Sequence, residues 1–544
     1  MSGIVGIVNA DGAPVSRALL REMTEALAYR GPDARAVWTG GHVGLGHALL
    51  GTTPESASER QPLSLDGGVW ITADARIDGR ADLVRELESR GCGRLQGALD
   101  AELILHAYGV WGEECVEHLL GDFAFAIWDD RRQRLFGARD PFGVKLFYYA
   151  CVDGALVLGN TLDGIRMHPA VSGRLDDAAI GDFLLFGRNH DPESTTFADV
   201  KRLPGGHALT WSQGALRTHR YWTLPVDGEV RYGRAGDYVE RFRELFRAAV
   251  GDRLRADRVA VHMSGGLDST AVAATARDLL AEGGQPVALR AFTMVFDRLI
   301  PDRERHYSGL AAEGLGIPIQ YRAADGYGLF DRWDRPALGR PEPVRAPLLA
   351  LEADFHGEVA AHSRVALTGE DGDTLLNELA GPYFAALFRA GRVGRLLADA
   401  SWYTWSERRP PPTGLRTAFQ RVFGTRGVAV AFPGWLDPEF AARLGLEERW
   451  RQWQERLRTG APAGNPLRPR ASAILSLPSM AGIFEGYDPG VTRVPVEVRH
   501  PLLDVRLVRY ALSIPPVPWC VRKELLRRAT RGVLPEAVRL RPKT

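Results

Sequence analysis

The sequence has few of the features expected of a secreted or membrane protein. It contains four cysteines, which lie far apart and without paired spacing: Cys92, Cys115, Cys151 and Cys520. Scattered thiols of this kind are typical of a reducing compartment, where disulfides are rare. The first residues lack a basic segment followed by a long apolar one, and no uncharged run is long enough to cross a membrane. We therefore expect a cytoplasmic protein with no membrane partner.

An excess of charge of one sign is also missing. The 544 residues carry 68 basic and 67 acidic side chains, a net charge of +1, so composition indicates no nucleic-acid partner. No Gly-Lys-Ser/Thr follows a four-residue spacer as in kinases and GTPases, and the glycines of residues 44–51 have the wrong spacing for dinucleotide binding. No internal repeat is apparent. A chain of this length is too long for one core, so at least two domains are expected.

The most informative segment that is present is a loop of small and polar residues. It consists of Ser264, Gly265, Gly266, Leu267, Asp268, Ser269 and Thr270. The apolar run 258–263 before it predicts a buried strand, and residues 269–277 predict a helix. Glycines and helix-start amides can approach a pyrophosphate, and Asp268 can hold a Mg²⁺ that bridges phosphate oxygens. We interpret the loop as a nucleotide site, with an ordinary strand-to-helix turn as the alternative.

The residue pattern divides the chain into two predicted domains, with a boundary at residues 224–228. Residues 1–220 contain mostly short strand-like runs, whereas residues 232–544 alternate strands with helices. Such alternation is typical of a parallel sheet covered by helices. Among the predicted elements are strands at 146–149, 289–296, 317–322 and 364–368, and a helix at 302–314.

An insertion within the second predicted domain, residues 383–470, is rich in arginine and tryptophan. One interpretation is a solvated helical appendage. The other is a lid or docking surface for a peptide, because Arg and Trp are common anchors at interfaces. Under that interpretation Trp402, Tyr403 and Trp405 would be the first anchors to test.

An acidic turn follows the predicted strand 364–368 and runs Gly369, Glu370, Asp371, Gly372, Asp373. In open α/β sheets, ligands bind outside the carboxyl ends of the strands, where the phosphate loop would also lie. Three carboxylates in four residues repel one another unless a cation lies among them, which predicts a metal position shared by Asp268 and Asp373. An acidic surface turn is the alternative. Farther along, residues 522–527 are predicted to start a helix that carries Lys523, by itself a weak signal.

Taken together, these segments resemble the asparagine synthetase superfamily over nearly the full chain. The first half is similar to its glutaminase domain at residues 3–6, 30–33, 121–125 and 138–140. The second half is similar to its synthetase domain at the phosphate loop, the acidic turn, residues 497–504 and Lys523. The resemblance implies an α+β, Ntn-hydrolase-like αββα domain of glutaminase type, followed by an α/β ATP-pyrophosphatase (PP-loop) synthetase domain.

Two departures from the superfamily pattern lie in the first domain. Asparagine synthetases begin Met-Cys-Gly, with the cysteine as nucleophile for glutamine hydrolysis, whereas this chain has Ser2. Where the family has Asn-Gly to stabilise the oxyanion, this chain has Asp74-Ala75. A carboxylate offers no N–H donor, and its charge opposes a developing oxyanion. We expect no glutaminase activity and a structural role for this domain; an amino-terminal-serine amidohydrolase acting through Ser2 is an alternative of another class.

Without ammonia from glutamine, the amine must come from another substrate. β-Lactam synthetases and lasso peptide cyclases both close a ring by amide formation, but the former carry a tyrosine where Glu370 stands. Residues 484–489 and 496–501 also resemble the lasso peptide cyclases more closely. The chain is therefore identified as similar to lasso peptide macrolactam synthetases. An asparagine synthetase that uses ammonia, a β-lactam-synthetase-like ligase acting on a small molecule, and a non-catalytic docking protein remain alternatives.

The resemblance implies a reaction and a set of roles. With ATP and Mg²⁺ as cofactors, the enzyme would adenylate an Asp or Glu side chain of a precursor peptide, and the peptide's amino terminus would attack, releasing AMP and pyrophosphate. Glu370 would accept the proton from the amine and Lys523 would stabilise phosphate charge. Residues 264–270 and Gly369 would bind the nucleotide, and Asp268 and Asp373 the metal. A leader peptidase and a leader-binding (RRE) protein are the further partners implied.

Overall fold

A computed structural model describes residues 1–225, 228–284, 288–408, 410–412, 430–459, 465, 467–477 and 480–542. Within this part of the chain, no helix is both long and apolar enough to span a membrane.

Residues 1–222 form two antiparallel sheets flanked by helices. The strands are β1 (Gly3–Asn9), β2 (Ala34–Gly40), β3 (Val43–Leu49), β4 (Leu63–Ser64), β5 (Val69–Asp78), β6 (Leu120–Asp129), β7 (Arg134–Arg139), β8 (Tyr148–Val152), β9 (Ala155–Gly159), β10 (Val200–Arg202), β11 (His207–Ser212) and β12 (Ala215–Arg220). The helices are α1 (Arg17–Glu25), α2 (Arg80–Ser89), α3 (Asp100–Trp111), α4 (Leu162–Arg166) and α5 (Asp177–Phe186). The strand orders are β10-β8-β9-β1-β3-β2 and β12-β11-β7-β6-β5-β4.

Strand β6 shows why the two sheets pack face to face. Successive side chains of a strand point to opposite faces, and both faces of β6 are apolar. Phe123 and Phe125 pack with α3, whereas Ala124 and Trp128 pack with residues of the other sheet. Helix α1 covers the outer face of that second sheet. The order of layers is therefore helix, sheet, sheet, helix, which confirms the predicted αββα arrangement.

The second half forms a parallel sheet covered by helices. Its strands are β13 (Arg258–His262), β14 (Ala288–Val295), β15 (Ile319–Ala323), β16 (Val365–Leu367) and β17 (Glu497–Arg499). Its helices are α6 (Ala235–Gly251), α7 (Leu267–Gly283), α8 (Glu304–Leu315), α9 (Leu349–His362), α10 (Gly372–Leu376), α11 (Ala380–Arg389), α12 (Val393–Glu407), α13 (Pro438–Arg443), α14 (Leu446–Thr459), α15 (Pro469–Leu475), α16 (Met480–Tyr487), α17 (Pro489–Thr492), α18 (Val505–Ser513), α19 (Pro516–Trp519), α20 (Glu524–Ala529) and α21 (Glu536–Arg539).

The order of the described strands is β15-β14-β13-β16-β17, and every neighbouring pair is parallel. Strands β13 and β16 lie side by side, with Val261 opposite Leu367. Because they run in the same direction, the segments that follow their carboxyl ends meet at one edge of the sheet. The α/β class predicted for this half is confirmed.

Several predicted boundaries shift for physical reasons. The strand predicted at 146–149 runs from Tyr148 to Val152. The helix predicted from residue 302 begins at Glu304, because the Asp302 carboxylate accepts the Glu304 amide hydrogen at 2.8 Å and forms a turn before the helix. The helix predicted from residue 522 begins at Glu524, because Arg522 and Lys523 both have left-handed φ values, +49° and +59°.

The described part of the predicted insertion packs on both halves of the molecule. Tyr403 of α12 is buried against Phe384 of α11, so the prediction of Tyr403 as a surface anchor is wrong. Trp405, by contrast, is 80% exposed. Trp450 of α14 stacks on Phe186 of the first half. Residues 413–429 of the insertion lie outside the described part of the chain.

A buried network of charges joins the two halves. Arg76 of β5 pairs with Asp122 at 2.7 Å and lies 3.7 Å from Glu497 of β17. Arg253, near the end of α6, pairs with Asp78 at 3.1 Å and with Asp504 at 3.0 Å. Buried charges are tolerated when each has a partner, and removing one partner is far more costly than the pair is favourable. The network therefore fixes the relative placement of the two halves.

Candidate active site

The phosphate loop connects β13 to α7, as the sequence predicts. Ser264 is exposed, and its hydroxyl accepts the Gly266 amide hydrogen at 3.1 Å and lies 3.0 Å from the Ser269 hydroxyl. Helix α7 then begins at Leu267, so its free amides point toward the loop. This is the arrangement of a helix N-terminus that binds an anion.

Two predicted loop residues contribute their backbone more than their side chains. Leu267 is buried in the core of the second half. The Thr270 hydroxyl is buried and donates to the Gly266 carbonyl at 2.8 Å, within its own helix. The side chains of Ser264, Asp268 and Ser269 are the ones placed at the ligand side of the loop.

Gly369 brings the acidic turn against the phosphate loop. A Cβ at Gly369 would lie 2.5 Å from the Ser269 backbone nitrogen, a separation that real Cβ atoms do not show. A Cβ at Gly372 would likewise lie 2.7 Å from Asp268 Oδ2. Gly369 is needed because the backbones of the two loops touch there, whereas Gly372 leaves room for the side chain of Asp268. This close approach places Asp268 beside the turn.

Lys523 joins the two loops through its ammonium group. Lys523 Nζ pairs with the carboxylate of Asp268 and with Asp373 Oδ1, the latter at 2.8 Å. The left-handed backbone at Lys523 turns the chain just before α20 and aims the side chain into the site. The structure thus brings the predicted residues Asp268, Asp373 and Lys523 into one cluster.

The two carboxylates that contact Lys523 are suitable ligands for Mg²⁺. Asp268 and Asp373 both contact one ammonium group, so two carboxylates lie within reach of one point beside the phosphate loop. In nucleotide sites Mg²⁺ is usually held by one or two carboxylates together with substrate phosphates. Among the residues described, no cluster of three or more His, Cys, Asp or Glu forms a metal site built of protein groups alone. The two carboxylates fit a cation that arrives with its nucleotide.

Glu370 accepts a hydrogen bond from a residue that sequence reasoning missed. The Tyr487 hydroxyl, at the end of α16, donates to Glu370 Oε1 at 2.7 Å. Burial, followed by the charge of Glu370, raises the pKa of Tyr487 well above its ordinary value. The phenol therefore stays protonated and holds the carboxylate in place. The motif at residues 484–489 contains this tyrosine, but its partner lies 117 residues away in the sequence, so the motif alone does not indicate the contact.

Three histidines surround Tyr487. His500 lies 5.4 Å from its ring, His262 6.2 Å and His356 6.3 Å. Burial lowers the pKa of His356 to about 4 and that of His500 to about 3, and it also lowers the pKa of His262. All three are therefore neutral at physiological pH. They give Tyr487 an environment that favours its uncharged form.

Asp371, the middle acid of the turn, differs from its neighbours. Its φ of +64° is left-handed, and it lies directly before α10. Burial and the charge of Glu370 raise the pKa of Asp371 to about 6, while a hydrogen bond with Thr374 lowers it. Asp371 was predicted only as part of the acidic cluster, and the structure places it away from the contacts that Lys523 makes.

A cavity of about 470 Å³ is lined by residues of both halves, and neither Glu370 nor Tyr487 is among them. Glu485 and Gly486, which precede Tyr487, line it. The opposite wall includes Phe183 and Arg188 of the first half. The cavity is therefore enclosed by both halves and carries charged groups of both signs.

In the first half, the positions that bind glutamine in the resembled family are occupied by a closed charge cluster. Asp74 accepts from the Ser2 amide at 3.0 Å, from Arg30 at 2.9 Å, and from Lys145 at 3.1 Å. Burial raises the pKa of Asp74, but the charges of Lys145, the chain's ammonium and Arg30 outweigh this and lower it to about 2. Asp74 is therefore an ionised carboxylate with no N–H to offer.

Comparison with known proteins matches each half of the chain to a different family model. The model described as "Glutamine amidotransferase domain" matches residues 1–222, and the model described as "Asparagine synthase" matches residues 241–544. The chain is 28% identical to "Asparagine synthetase [glutamine-hydrolyzing] 3" of Bacillus subtilis, over 100% of this chain and 86% of that protein. It is 29% identical to "Amidase chry2" of Gibberella zeae over 73% of this chain and 59% of that protein.

Among solved structures, the allosteric regulatory enzyme of purine biosynthesis aligns over 71% of this chain and 77% of that one. The sequence identity is 14% and the TM-score is 0.31. The family match over residues 241–544 spans more than half of the chain. It coincides with the phosphate loop, the acidic turn and Lys523. The chain belongs to the asparagine synthase family and is an ATP-dependent amide ligase.

Proposed function

We propose that this protein is a lasso peptide macrolactam synthetase, which joins an Asp or Glu side chain of a precursor peptide to the peptide's own amino terminus. The observation that carries the proposal is the contact between Glu370 and Tyr487 at the edge where the phosphate loop also lies. A carboxylate held beside the place of activation can accept a proton from an attacking amine. β-Lactam synthetases carry a tyrosine at the position of Glu370, so this arrangement favours a different member of the family.

The first step activates the acid. A carboxylate oxygen of the peptide attacks the α-phosphorus of ATP, the bond to the β-phosphate oxygen breaks, and pyrophosphate leaves from the acyl-adenylate. Residues 264–270 bind the departing phosphates through backbone amides, and Lys523 stabilises the charge that develops on them. Asp268 and Asp373 would hold Mg²⁺, which when bound neutralises phosphate charge.

The second step forms the amide. The nitrogen of the amino terminus attacks the acyl carbon, the bond from that carbon to the AMP oxygen breaks, and AMP leaves. Glu370 accepts the proton that the nitrogen loses, while the Tyr487 hydroxyl keeps the carboxylate directed at the nitrogen. A base positioned in this way typically contributes about 10²- to 10⁴-fold to the rate.

The first half supports this assignment because Asp74 cannot donate a hydrogen bond to the oxyanion that forms when glutamine is hydrolysed. An ionised Asp74, already paired with Arg30 and Lys145, supplies no donor for an oxyanion. The amine must then enter with the substrate, as it does when one peptide carries both reacting groups. The cavity of about 470 Å³ that both halves enclose is our candidate for the bent peptide. A leader peptidase and a leader-binding (RRE) protein complete the proposed pathway.

A second candidate function is asparagine synthesis from free ammonia. The Bacillus subtilis relative is named an asparagine synthetase and aligns over the whole of this chain, and this similarity favours the second candidate. That reaction would use the same adenylation step on aspartate. It needs no bent peptide, and the glutamine site of the first half would stay unused.

The deciding experiment supplies the purified full chain with MgATP and either leader-free candidate peptides or aspartate with ammonium. We expect a peptide product lighter by one water, with one AMP formed per ring. Asparagine formed in the second mixture, with no peptide product in the first, would establish the alternative. ADP and orthophosphate as products would contradict both. Glutamate released from glutamine without ATP, and lost in Ser2→Ala, would instead support the amidohydrolase.

A further inference from the structure

A carboxylate already accepts a hydrogen bond from one of the backbone amides of the phosphate loop. The Gly265 amide donates a hydrogen bond to Glu304 Oε2, and Glu304 is the first residue of α8. Its other oxygen, Oε1, accepts from Arg541 Nη2 at 3.0 Å. One side-chain carboxylate is therefore held by a loop amide and a guanidinium at once.

Arg541 is fixed in this position by several contacts. Its guanidinium lies 4.2 Å from the ring centre of Tyr307, one turn along α8 from Glu304. Its carbonyl accepts from Arg527 Nη2 at 2.9 Å. Its side chain is 10% exposed. These contacts place the guanidinium at the phosphate loop and restrain it there.

Gly265 shows how close the guanidinium comes to the loop. A Cβ at Gly265 would lie 2.7 Å from Arg541 Nη1 and 3.2 Å from Glu304 Oε2. The nearest atom to that Cβ is Tyr307 Cβ at 2.5 Å, so the packing of α8 against the loop requires glycine here and brings both charged groups beside it. The amide and the guanidinium thus form a two-donor site for an oxygen anion, which the Glu304 carboxylate fills.

We propose that Arg541 and the Gly265 amide are a pyrophosphate-binding subsite, and that Glu304 occupies this subsite until the nucleotide displaces it. A phosphate oxygen and a carboxylate oxygen are the same class of acceptor, and both prefer a backbone amide and a guanidinium as donors. The Gly265 amide has one hydrogen, which cannot be donated fully to both a phosphate and the Glu304 carboxylate. Binding of the nucleotide therefore breaks the contacts of Glu304, and Glu304 weakens nucleotide affinity by competition and by charge repulsion.

This inference rests on the proposed use of ATP and not on the identity of the acid or the amine. A purely structural ion pair, which only holds Arg541 against α8, predicts a different effect on nucleotide binding when the charge of Glu304 is removed. If Glu304 only positioned Arg541, removing its charge would weaken nucleotide binding or leave it unchanged. If Glu304 competes with phosphate, removing its charge strengthens binding.

The test measures binding of magnesium pyrophosphate and of MgATP to the full chain by titration calorimetry. Glu304→Gln keeps the shape and the acceptor oxygen but loses the charge, and we expect it to bind pyrophosphate about 3- to 10-fold more tightly. Arg541→Gln loses a charge-assisted donor, and we expect binding about 10- to 100-fold weaker. Opposite signs for two partners of one ion pair would not arise from a structural role.

Glu536→Gln is the matched control, because Glu536 pairs with Arg539 at 2.6 Å in the same region of the chain but makes no contact with the phosphate loop in any bond that the structure shows. It should bind pyrophosphate like the unaltered chain. Unchanged thermal unfolding midpoints exclude a folding defect. Unchanged or weaker binding by Glu304→Gln, or unchanged binding by Arg541→Gln, would overturn the inference alone. An unaltered chain that binds neither ligand would refute the proposed function as well.

Discussion

Arg30, in the first half of the chain, donates to both carboxylate oxygens of Asp488, the residue that follows Tyr487. Arg30 also donates to Asp74 at 2.9 Å and is fully buried. Asp488 in turn accepts the Gly490 amide hydrogen at 2.7 Å and so begins α17. The arginine of the motif that resembles a glutamine site is therefore bound to the segment that presents Tyr487 to Glu370.

Replacing Asp488 by Asn should slow ring closure more than adenylation. Asn can still accept from Gly490, but it loses the charge that Arg30 holds, at a cost of about 1–3 kcal/mol in the free energy of unfolding. ATP–pyrophosphate exchange measures adenylation, and peptide product measures closure. Asp252→Asn is the control, because Asp252 also joins the two halves, through the Gly79 amide at 3.1 Å, but its other partner is Arg506 and not the segment that carries Tyr487. Equal losses in both variants would refute a positioning role.

Tyr487→Phe should leave adenylation intact and lower the rate of amide formation about 10- to 100-fold. The reason is that Glu370 loses the hydrogen bond that directs it. Glu370→Gln should lower the rate of amide formation further, because the side-chain amide of Gln cannot accept the proton. Tyr383→Phe provides the comparison: its hydroxyl donates to Asp399 at 2.7 Å and not to Glu370, so its rate of amide formation should be unchanged. An unaltered ring yield in Tyr487→Phe would remove the tyrosine from the mechanism.

Lys523→Met should abolish pyrophosphate release, with a loss of about 10²- to 10³-fold or more. Its ammonium contacts both Asp268 and Asp373, so its removal also leaves two carboxylates facing each other. Asp268→Asn should have a comparable effect on the same step. Lys201→Met, on β10 of the first half, is the control and should release pyrophosphate normally. Exchange of labelled pyrophosphate into ATP at the normal rate in Lys523→Met would contradict the assignment.

The protein should lose stability as the pH falls from about 6.5 to about 4. The pKa of His356 is about 4 in the folded chain because of burial, whereas an exposed imidazole titrates near 6.5. Over this interval the unfolded chain binds more protons, so acid favours unfolding, and the loss continues toward pH 3 for His500. Urea midpoints across this range should fall less steeply for His356→Gln. The exposed His219→Gln should follow the unaltered chain, and identical slopes for all three would disprove the prediction.

Ser2→Cys should not restore glutamine hydrolysis. A better nucleophile does not supply the missing oxyanion donor, because Asp74 is ionised and bound to Arg30 and Lys145. Glutamate release, measured with an enzymatic assay, should stay at the level of a blank without protein. Release above the blank that also requires the new thiol would show that the pocket still binds glutamine.

The sequence was sufficient for the features that depend on local pattern. The apolar runs before residues 264 and 369 predict strands, and the strand-end rule then places the phosphate loop and the acidic turn at one edge. Lys523 was expected on a helix, but two successive left-handed residues place it before one. Neither residue is a glycine, which would have indicated a left-handed conformation, so the sequence did not predict this turn.

Contacts between distant residues could not be predicted in the same way. Tyr487 and Glu370 are 117 residues apart, Arg541 and Glu304 are 237 apart, and Arg30 and Asp488 are 458 apart. Periodicity identifies which face of an element is buried but not which element covers it. Each of these pairs depends on packing between whole elements. They became visible only in the folded chain.

The shared cavity gives the first half a proposed role other than glutamine hydrolysis. Phe183 and Arg188 supply one wall, and Glu485 and Gly486 supply the facing one. A fragment made of the second half alone would lose the first-half residues from the cavity that we propose for the bent peptide. The amidotransferase-like half would then serve to confine the peptide, and a chain truncated to the second half should consume ATP while forming little cyclic product.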